Sequence, residues 1–187
     1  MERVDVGEIN GQTFINNSSL GIYPDIVRFR EEERERFGIG KWAALASATW
    51  LVLRRDATLS VRVDTGTDER VYCTPFAFIG NNEYVLEGSD IGARKTLQAG
   101  VLSLYTAHVS GRLGVLRLML RALFRRLHDT TDFAALTATD IVIETARRRI
   151  SVATDGEVSM FETPLRYRSR PRALRVLVPQ TDPGGAA

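Results

Sequence analysis

The sequence has very few of the residues that form disulfides or bind zinc. Cys73 is the only cysteine among the 187 residues, and His108 and His128 are the only histidines. One cysteine cannot form an intramolecular disulfide, and these three residues cannot complete a four-ligand structural zinc site. A disulfide-stabilised domain and a zinc domain are therefore excluded, and the low cysteine content favours a cytoplasmic protein.

Long hydrophobic runs are also missing. The longest apolar stretch, residues 42–53, is well short of the roughly 20 residues that a membrane-spanning helix needs. Residues 1–6 are charged and do not resemble a signal peptide. We therefore expect no transmembrane segment.

Neither sign of charge dominates. The chain has 25 basic and 23 acidic residues, for a formal net charge of +2, and this balance does not favour nucleic acid as a partner. Lysine is rare, since Lys41 and Lys95 are the only two and arginine supplies the rest. Arginine enrichment is typical of phosphate or carboxylate recognition, but the base composition of a genome produces it as well, and the sequence leaves both explanations open.

The common motifs of nucleotide-binding proteins and hydrolases do not occur. The sequence has no Gly-x4-Gly-Lys-Ser/Thr loop, no Gly-x-Gly-x-x-Gly after a strand and no Gly-x-Ser-x-Gly elbow. Residues 38–41, Gly-Ile-Gly-Lys, imitate a phosphate loop poorly and are better explained as a connection between two helices. The chain therefore shows no self-sufficient ATP site.

Short strands dominate the pattern that is present. Asn10-Gly11 predicts a hairpin turn within residues 4–20, and parallel βαβ alternation is absent. These features predict a β-rich α+β domain over residues 1–179, a β-sandwich with two helical inserts, followed by a flexible tail at 180–187. Further strands are predicted at residues 59–64, 70–79, 101–108, 140–145, 149–154, 158–162 and 174–178, and helices at 28–37, 42–55 and 113–127.

Three polar clusters are candidates for chemistry. Residues 16–19, Asn-Asn-Ser-Ser, offer amides suited to a sugar or a phosphate, and residues 80–84 form a second cluster rich in amides. Residues 155–157, Asp-Gly-Glu, offer a carboxylate that can act as a general base. Each cluster is also explained as an ordinary turn, and spacing alone does not decide between the two readings.

Several motifs follow one another in a characteristic order between residues 3 and 179. They are residues 4–7 leading to Asn10-Gly11, 14–21 (Phe-Ile-Asn-Asn-Ser-Ser-Leu-Gly), 74–82 (Thr-Pro-Phe-Ala-Phe-Ile-Gly-Asn-Asn), Asp155-Gly156-Glu157 followed by Thr163-Pro164-Leu165, and 171–179. Together these motifs resemble the C-terminal domain of bacterial diacylglycerol-kinase-like lipid kinases, which are related to nicotinamide-nucleotide kinases. The resemblance implies a two-domain kinase whose N-terminal domain has a Gly-Gly-Asp-Gly-Thr motif, and this motif is absent here.

The resemblance also implies roles for individual residues. Glu157 corresponds to the general base that takes the proton of a lipid hydroxyl, and Asp155 to its acidic partner, which binds metal or organises hydrogen bonds. Asn17 and Asn81 correspond to strand-end amides that face the nucleotide. ATP and Mg²⁺ are the implied cofactors, because phosphoryl transfer depends on neutralising phosphate charge.

The sequence departs from the family in one segment. Many relatives hold a structural magnesium ion with acids that would fall within residues 97–103, but Gln98, Ala99 and Ser103 occupy those places. Because Mg²⁺ requires hard oxygen ligands, usually carboxylates, we expect that this structural site is missing.

We therefore expect the C-terminal half of a lipid kinase, cytoplasmic or peripheral to the inner face of the membrane, and inactive without its N-terminal domain. The expected partners are a lipid substrate and that domain, which residues 171–179 should contact through a strand. If that strand lacks its partner, its exposed edge favours a homodimer. Two alternatives stay open: a non-catalytic membrane-surface module that uses the arginines of residues 113–127, and a kinase half for a nicotinamide nucleotide or a sphingoid base.

Overall fold

The computed structural model describes residues 1–22, 24, 58–85, 93–107, 114 and 133–178. The helices predicted at 28–37, 42–55 and, apart from residue 114, 113–127 lie outside this part of the chain, as does the tail at 180–187. The described strands are β1 Glu2–Ile9, β2 Gln12–Phe14, β3 Asn17–Gly21, β4 Leu59–Asp64, β5 Glu69–Thr74, β6 Phe76–Asn81, β7 Leu102–Ala107, β8 Phe133–Ala138, β9 Asp140–Thr145, β10 Arg149–Thr154, β11 Glu157–Glu162 and β12 Leu165–Val176.

These strands form two six-stranded antiparallel sheets that confirm the predicted β-sandwich. The strand order is β2-β1-β12-β9-β4-β5 in sheet 1 and β11-β10-β3-β6-β7-β8 in sheet 2. Side chains alternate along each strand, and those of the inner faces fill the space between the sheets. In β4, for example, Val61 and Val63 are buried while Arg62 is exposed. No helix in the described ranges is long and apolar enough to cross a membrane.

The core contains one hydroxyl pair that joins the two sheets. Tyr167 of β12 is buried against Phe14, with ring centroids 6.3 Å apart at 80°. Its hydroxyl lies 3.1 Å from Ser18 Oγ of β3. Burial raises the pKa of the Tyr167 phenol, so the group stays neutral and the pair holds the start of β3 against the opposite sheet.

The prediction of a single strand at residues 70–79 is wrong, because these residues belong to two strands in different sheets. β5 ends at Thr74 in sheet 1, and β6 begins at Phe76 in sheet 2. Pro75 stands between them, and proline has no backbone N–H to continue a ladder. Thr74 Oγ1 donates to the Phe76 carbonyl at 2.6 Å and accepts from the Ala107 N–H at 3.2 Å, which fixes the crossing.

The last strand is longer than predicted, and part of it is already paired. β12 pairs with β9 over Leu165–Arg168 and with β1 up to Val176, which lies opposite Glu2. Beyond Arg168, β12 pairs with β1 on one edge, and no described strand pairs with its other edge. Contact between residues 171–179 and an N-terminal domain stays a prediction, as does the homodimer.

The exposed pair Arg168–Asp140 gives a prediction about pH. The Arg168 Nε donates to Asp140 Oδ1 at 2.8 Å, and this hydrogen bond lowers the pKa of the Asp140 carboxyl. A lowered pKa stabilises the fold above the unfolded-state value, and this contribution is lost as the pH falls through the folded-state pKa. Since both side chains are more than half exposed, solvent screens the pair.

We therefore expect Asp140→Asn to lower the melting temperature by less than about 3 °C at neutral pH. At pH values where the Asp140 carboxyl is protonated in both the folded and the unfolded state, the melting temperatures of the original chain and the variant should agree. Thermal unfolding followed by circular dichroism at the two pH values tests this. A larger difference in acid than at neutral pH would contradict it.

Candidate functional site

Two turns that are far apart in sequence lie side by side at one end of sheet 2. The turn at residues 15–17 joins β2 to β3, and Asp155-Gly156 joins β10 to β11. Asp155 and Gly156 both have positive φ, 51° and 95°, as a two-residue hairpin turn requires. Because β10 pairs with β3, with Thr154 opposite Ser18, the Asp155 turn lies beside the start of β3.

The Asp155 carboxylate binds the first turn through three consecutive backbone amides. The N–H of Ile15 donates to Oδ2 at 2.6 Å, and the N–H groups of Asn16 and Asn17 donate to Oδ1 at 2.7 and 3.1 Å. The Asp155 N–H donates in turn to the Asn17 carbonyl at 2.9 Å. Such a cluster of amides is an anion-binding nest, so Asp155 anchors the turn that begins β3.

The carbonyl groups of the same turn are held from the other side. The Ile15 carbonyl accepts from Asn81 Nδ2 at 2.8 Å and from Arg94 Nη1 at 3.0 Å. The Asn16 carbonyl accepts from the Asn81 N–H and from the Tyr84 hydroxyl, both at 3.0 Å. Residues 15–17 are therefore fixed through both their N–H and their C=O groups.

Asn81 is buried inside the domain. Its side chain is 0% exposed, and Nδ2 also donates to the Asp5 carbonyl at 2.8 Å, which links β6 to β1. These hydrogen bonds give Asn81 a structural role, and its contact with a nucleotide stays a prediction. Asn17 is half-buried at the first position of β3, and its contact with a nucleotide also stays a prediction.

Tyr84 supports the turn by lying over a glycine. A Cβ on Gly80 would stand 2.5 Å from Tyr84 Cε2, so only glycine leaves room for the ring. The ring packs edge-on against Phe78, with centroids 5.5 Å apart. Burial raises the pKa of the Tyr84 phenol, while a hydrogen bond with the Asn17 side chain opposes the rise. The phenol thus stays neutral and bonds to both asparagines of the turn.

We expect Gly80→Ala to lower the free energy of unfolding by about 1–3 kcal/mol. The added methyl would overlap the Tyr84 ring and come within 2.7 Å of Ser103 Oγ. Urea unfolding of the variant measures the loss. In the double variant with Tyr84→Ala, the alanine at position 80 should cost less, since the ring it strikes is gone. An unchanged stability for Gly80→Ala would contradict this packing.

Glu157 differs from Asp155 in having a free carboxylate. It is the first residue of β11, opposite Thr154, and it is exposed. No side-chain hydrogen bond or ion pair joins it to any residue in the described part of the chain. Of the two acids predicted to be catalytic, Asp155 is thus occupied in holding the turn, and the Glu157 carboxylate is unpaired among the described residues.

The described residues do not fit a magnesium site on their own. They contain no group of three or more His, Cys, Asp or Glu side chains placed to hold a metal ion. Both Asp155 oxygens already accept backbone N–H groups, whereas Mg²⁺ demands near-octahedral oxygen coordination. Metal binding by Asp155 stays a prediction that this geometry does not support.

A buried acid that the sequence analysis did not single out holds the neighbouring loop. Asp5 Oδ2 accepts the Gly100 N–H at 2.6 Å, and Oδ1 accepts the Arg172 N–H at 2.8 Å, at a bulge in β12. Asn82 Oδ1 accepts the Ala99 N–H at 3.0 Å. The loop in which relatives carry metal-binding acids is thus tied to β1, β6 and β12 by side chains. The one sequence signal for Asp5 is an acid between two core valines, Val4 and Val6.

An open groove of about 450 Å³ borders the site. Tyr84 contributes to its wall, which also includes apolar side chains, and the Lys95–Glu83 ion pair, at 2.7 Å, lies at the groove. Its lining residues are Glu83, Tyr84, Val85, Lys95, Ser103, Tyr105, Ala135, Leu136 and Thr137. The groove offers both apolar and polar contacts beside the anchored turn.

Comparison with known proteins identifies the family of this domain. Residues 28–178, more than half of the chain, match the family described as the YegS C-terminal NAD kinase β-sandwich-like domain. The chain belongs to this family. The resemblance to the C-terminal domain of diacylglycerol-kinase-like lipid kinases is thereby confirmed, and the chain is related to kinases of the diacylglycerol and NAD kinase group.

Solved structures show the same fold. A protein from Bacillus anthracis str. Sterne, proposed to be a diacylglycerol kinase, is 22% identical with a TM-score of 0.61; the match covers 91% of this chain and 55% of that one. A diacylglycerol kinase structure from the same organism is 16% identical with a TM-score of 0.55, over 91% and 52% of the two chains. The chain thus spans about half of the length of these structures.

Proposed function

We propose that this chain is the acceptor-side half of an ATP-dependent lipid kinase that phosphorylates a hydroxyl of a diacylglycerol-like lipid. The observation that carries the proposal is the pairing of an anchored turn with a free acid. Asp155 holds residues 15–17 through three amides, and Glu157, two residues further on, leaves its carboxylate open. The family to which the chain belongs supports a kinase role for this pairing.

In this mechanism Glu157 acts as the general base. It accepts the proton of the lipid hydroxyl while that oxygen attacks the γ-phosphorus of ATP; a new P–O bond forms and the bond to ADP breaks. Asn17, held at the start of β3, contributes an amide that faces the nucleotide. ATP and Mg²⁺ are proposed from the family, and the described residues of this chain supply no magnesium site.

A lipid is the proposed acceptor because of the groove beside Tyr84. Val85, Tyr105 and Leu136 give it apolar surface that suits a hydrocarbon chain, and Ser103 and Thr137 give it hydroxyls. A nicotinamide nucleotide carries a negatively charged pyrophosphate, whereas Lys95, a cation among the lining residues, is already paired with Glu83. An enzyme that takes such a lipid would work in the cytoplasm at the inner face of the membrane.

A competition between acceptors tests the proposal. The chain, combined with a separately expressed N-terminal half that carries Gly-Gly-Asp-Gly-Thr, receives γ-labelled ATP together with diacylglycerol, a sphingoid base and a nicotinamide nucleotide. Label in diacylglycerol is the expected result. Label in the sphingoid base alone or in the nucleotide alone would identify that compound as the acceptor in place of diacylglycerol. No label in any of the three would contradict the proposed kinase function.

A further inference from the structure

Arg94 is held rigidly against the anchored turn. Its Nη1 donates to the Ile15 carbonyl at 3.0 Å, and its Nη2 donates to Asn16 Oδ1 at 3.3 Å. The side chain is half-buried, so its position is set by the protein. A guanidinium has five N–H donors, and these two bonds leave three of them for a ligand.

The charge of Arg94 has no carboxylate partner within the described residues. Five other arginines in this part of the chain form ion pairs with acids: Arg62, Arg70, Arg149, Arg168 and Arg170. Arg94 instead bonds to two neutral oxygens. The adjacent acids are already engaged, because Glu83 pairs with Lys95 and Asp155 binds the three amides. Within the described part of the chain, Arg94 is therefore a preorganised cation without a carboxylate partner, and it lies beside Asn16.

We propose that Arg94 binds a phosphate group of the substrate at this turn. The planar fork of a guanidinium matches phosphate oxygens, and a preorganised donor needs little rearrangement when charge develops on them. The identification of the ligand as a kinase substrate rests on the proposed function. The phosphate belongs either to the nucleotide or to the phosphorylated acceptor, and two probes separate these sources.

The test is a titration of the ¹⁵N-labelled chain followed by NMR. ADP stands for the nucleotide, and glycerol 3-phosphate stands for the phosphorylated headgroup. We expect saturable shifts of the Arg94 Nε–H and of the Asn16 and Asn17 amides with at least one probe. The probe that binds more tightly identifies the source. Arg94→Gln should weaken that binding at least about tenfold, since hydrogen bonds to charged groups are the strong ones.

Two further variants make the result specific. Arg62→Gln removes a cation on β4 of sheet 1, which is paired with Glu69, and should bind as the original chain does. Arg94→Lys keeps the charge but not the fork, and its affinity should fall between those of the original chain and Arg94→Gln. Amide spectra of each variant without ligand show whether it is folded. If Arg94→Gln does not fold, the titration of Arg94→Lys tests the role of Arg94 instead.

The inference is overturned if neither probe gives saturable shifts, or if Arg94→Gln binds within twofold of the original chain. An equal loss in Arg62→Gln would also overturn it, because it would point to general attraction of anions. The titration needs neither an N-terminal half nor any transfer reaction. Failure of lipid phosphorylation in the acceptor competition is therefore a separate outcome.

Discussion

Replacing Glu157 by glutamine should lower phosphoryl transfer by about 10²–10⁴-fold, the usual contribution of a general base. Glutamine keeps the size of the side chain but cannot take a proton from the acceptor hydroxyl. The loss should appear in kcat when the chain acts together with an N-terminal half. The free energy of unfolding should stay the same, because the Glu157 carboxylate is exposed and bonds to no described residue.

Glu162 provides the matched control for this experiment. It is an exposed glutamate at the other end of β11, where it pairs with Arg149. Glu162→Gln should leave the transfer rate near that of the original chain. Near-normal turnover by Glu157→Gln would remove Glu157 from the mechanism, and an equal fall in both variants would point to a general effect on β11.

Replacing Asp155 by alanine should lower the free energy of unfolding by about 2–4 kcal/mol. Three backbone N–H groups lose a charged acceptor, and alanine must also adopt the left-handed φ of 51° that Asp155 has. Asp155→Asn should lose roughly half as much, since asparagine tolerates that conformation and keeps one acceptor oxygen. Urea unfolding of the isolated chain measures both.

Asp64 is a suitable comparison for Asp155. It is an exposed aspartate at the end of β4, and its Oδ1 accepts one backbone N–H, from Gly66 at 2.7 Å. Asp64→Ala should therefore cost less than Asp155→Ala. Transfer should also fall in the Asp155 variants, because Asn17 is no longer held. Equal stabilities for the two alanine variants would contradict the role of Asp155 as an anchor.

Local patterns in the sequence were sufficient to place several strands. The bounds predicted for β9 and β10 agree with the structure, and Asn10-Gly11 has the positive φ angles, 45° and 88°, of a two-residue hairpin turn. These features depend on neighbouring residues only. The split at Pro75 was missed because residues 70–79 keep their β-prone composition across a change of sheet.

The composition of the site was predictable, but the roles of its residues were not. Asp155 and Asn17 are 138 residues apart in the chain, and they meet only because β10 pairs with β3. The same long-range packing places Asn81 beneath the turn and buries it. The motif at residues 74–82, taken alone, suggests that the Asn81 side chain is exposed. Arg94 belongs to no motif, and the motif at residues 4–7 assigns no role to Asp5; the contacts of both residues depend on packing that strand spacing does not specify.

The most direct test of the central claim is reconstitution of transfer from two halves. γ-Labelled ATP and diacylglycerol are given to this chain alone, to an N-terminal half alone and to both together, with association of the halves checked by gel filtration. Labelled lipid is expected only when both halves are present. Product from this chain alone, or none from halves that associate, would contradict it.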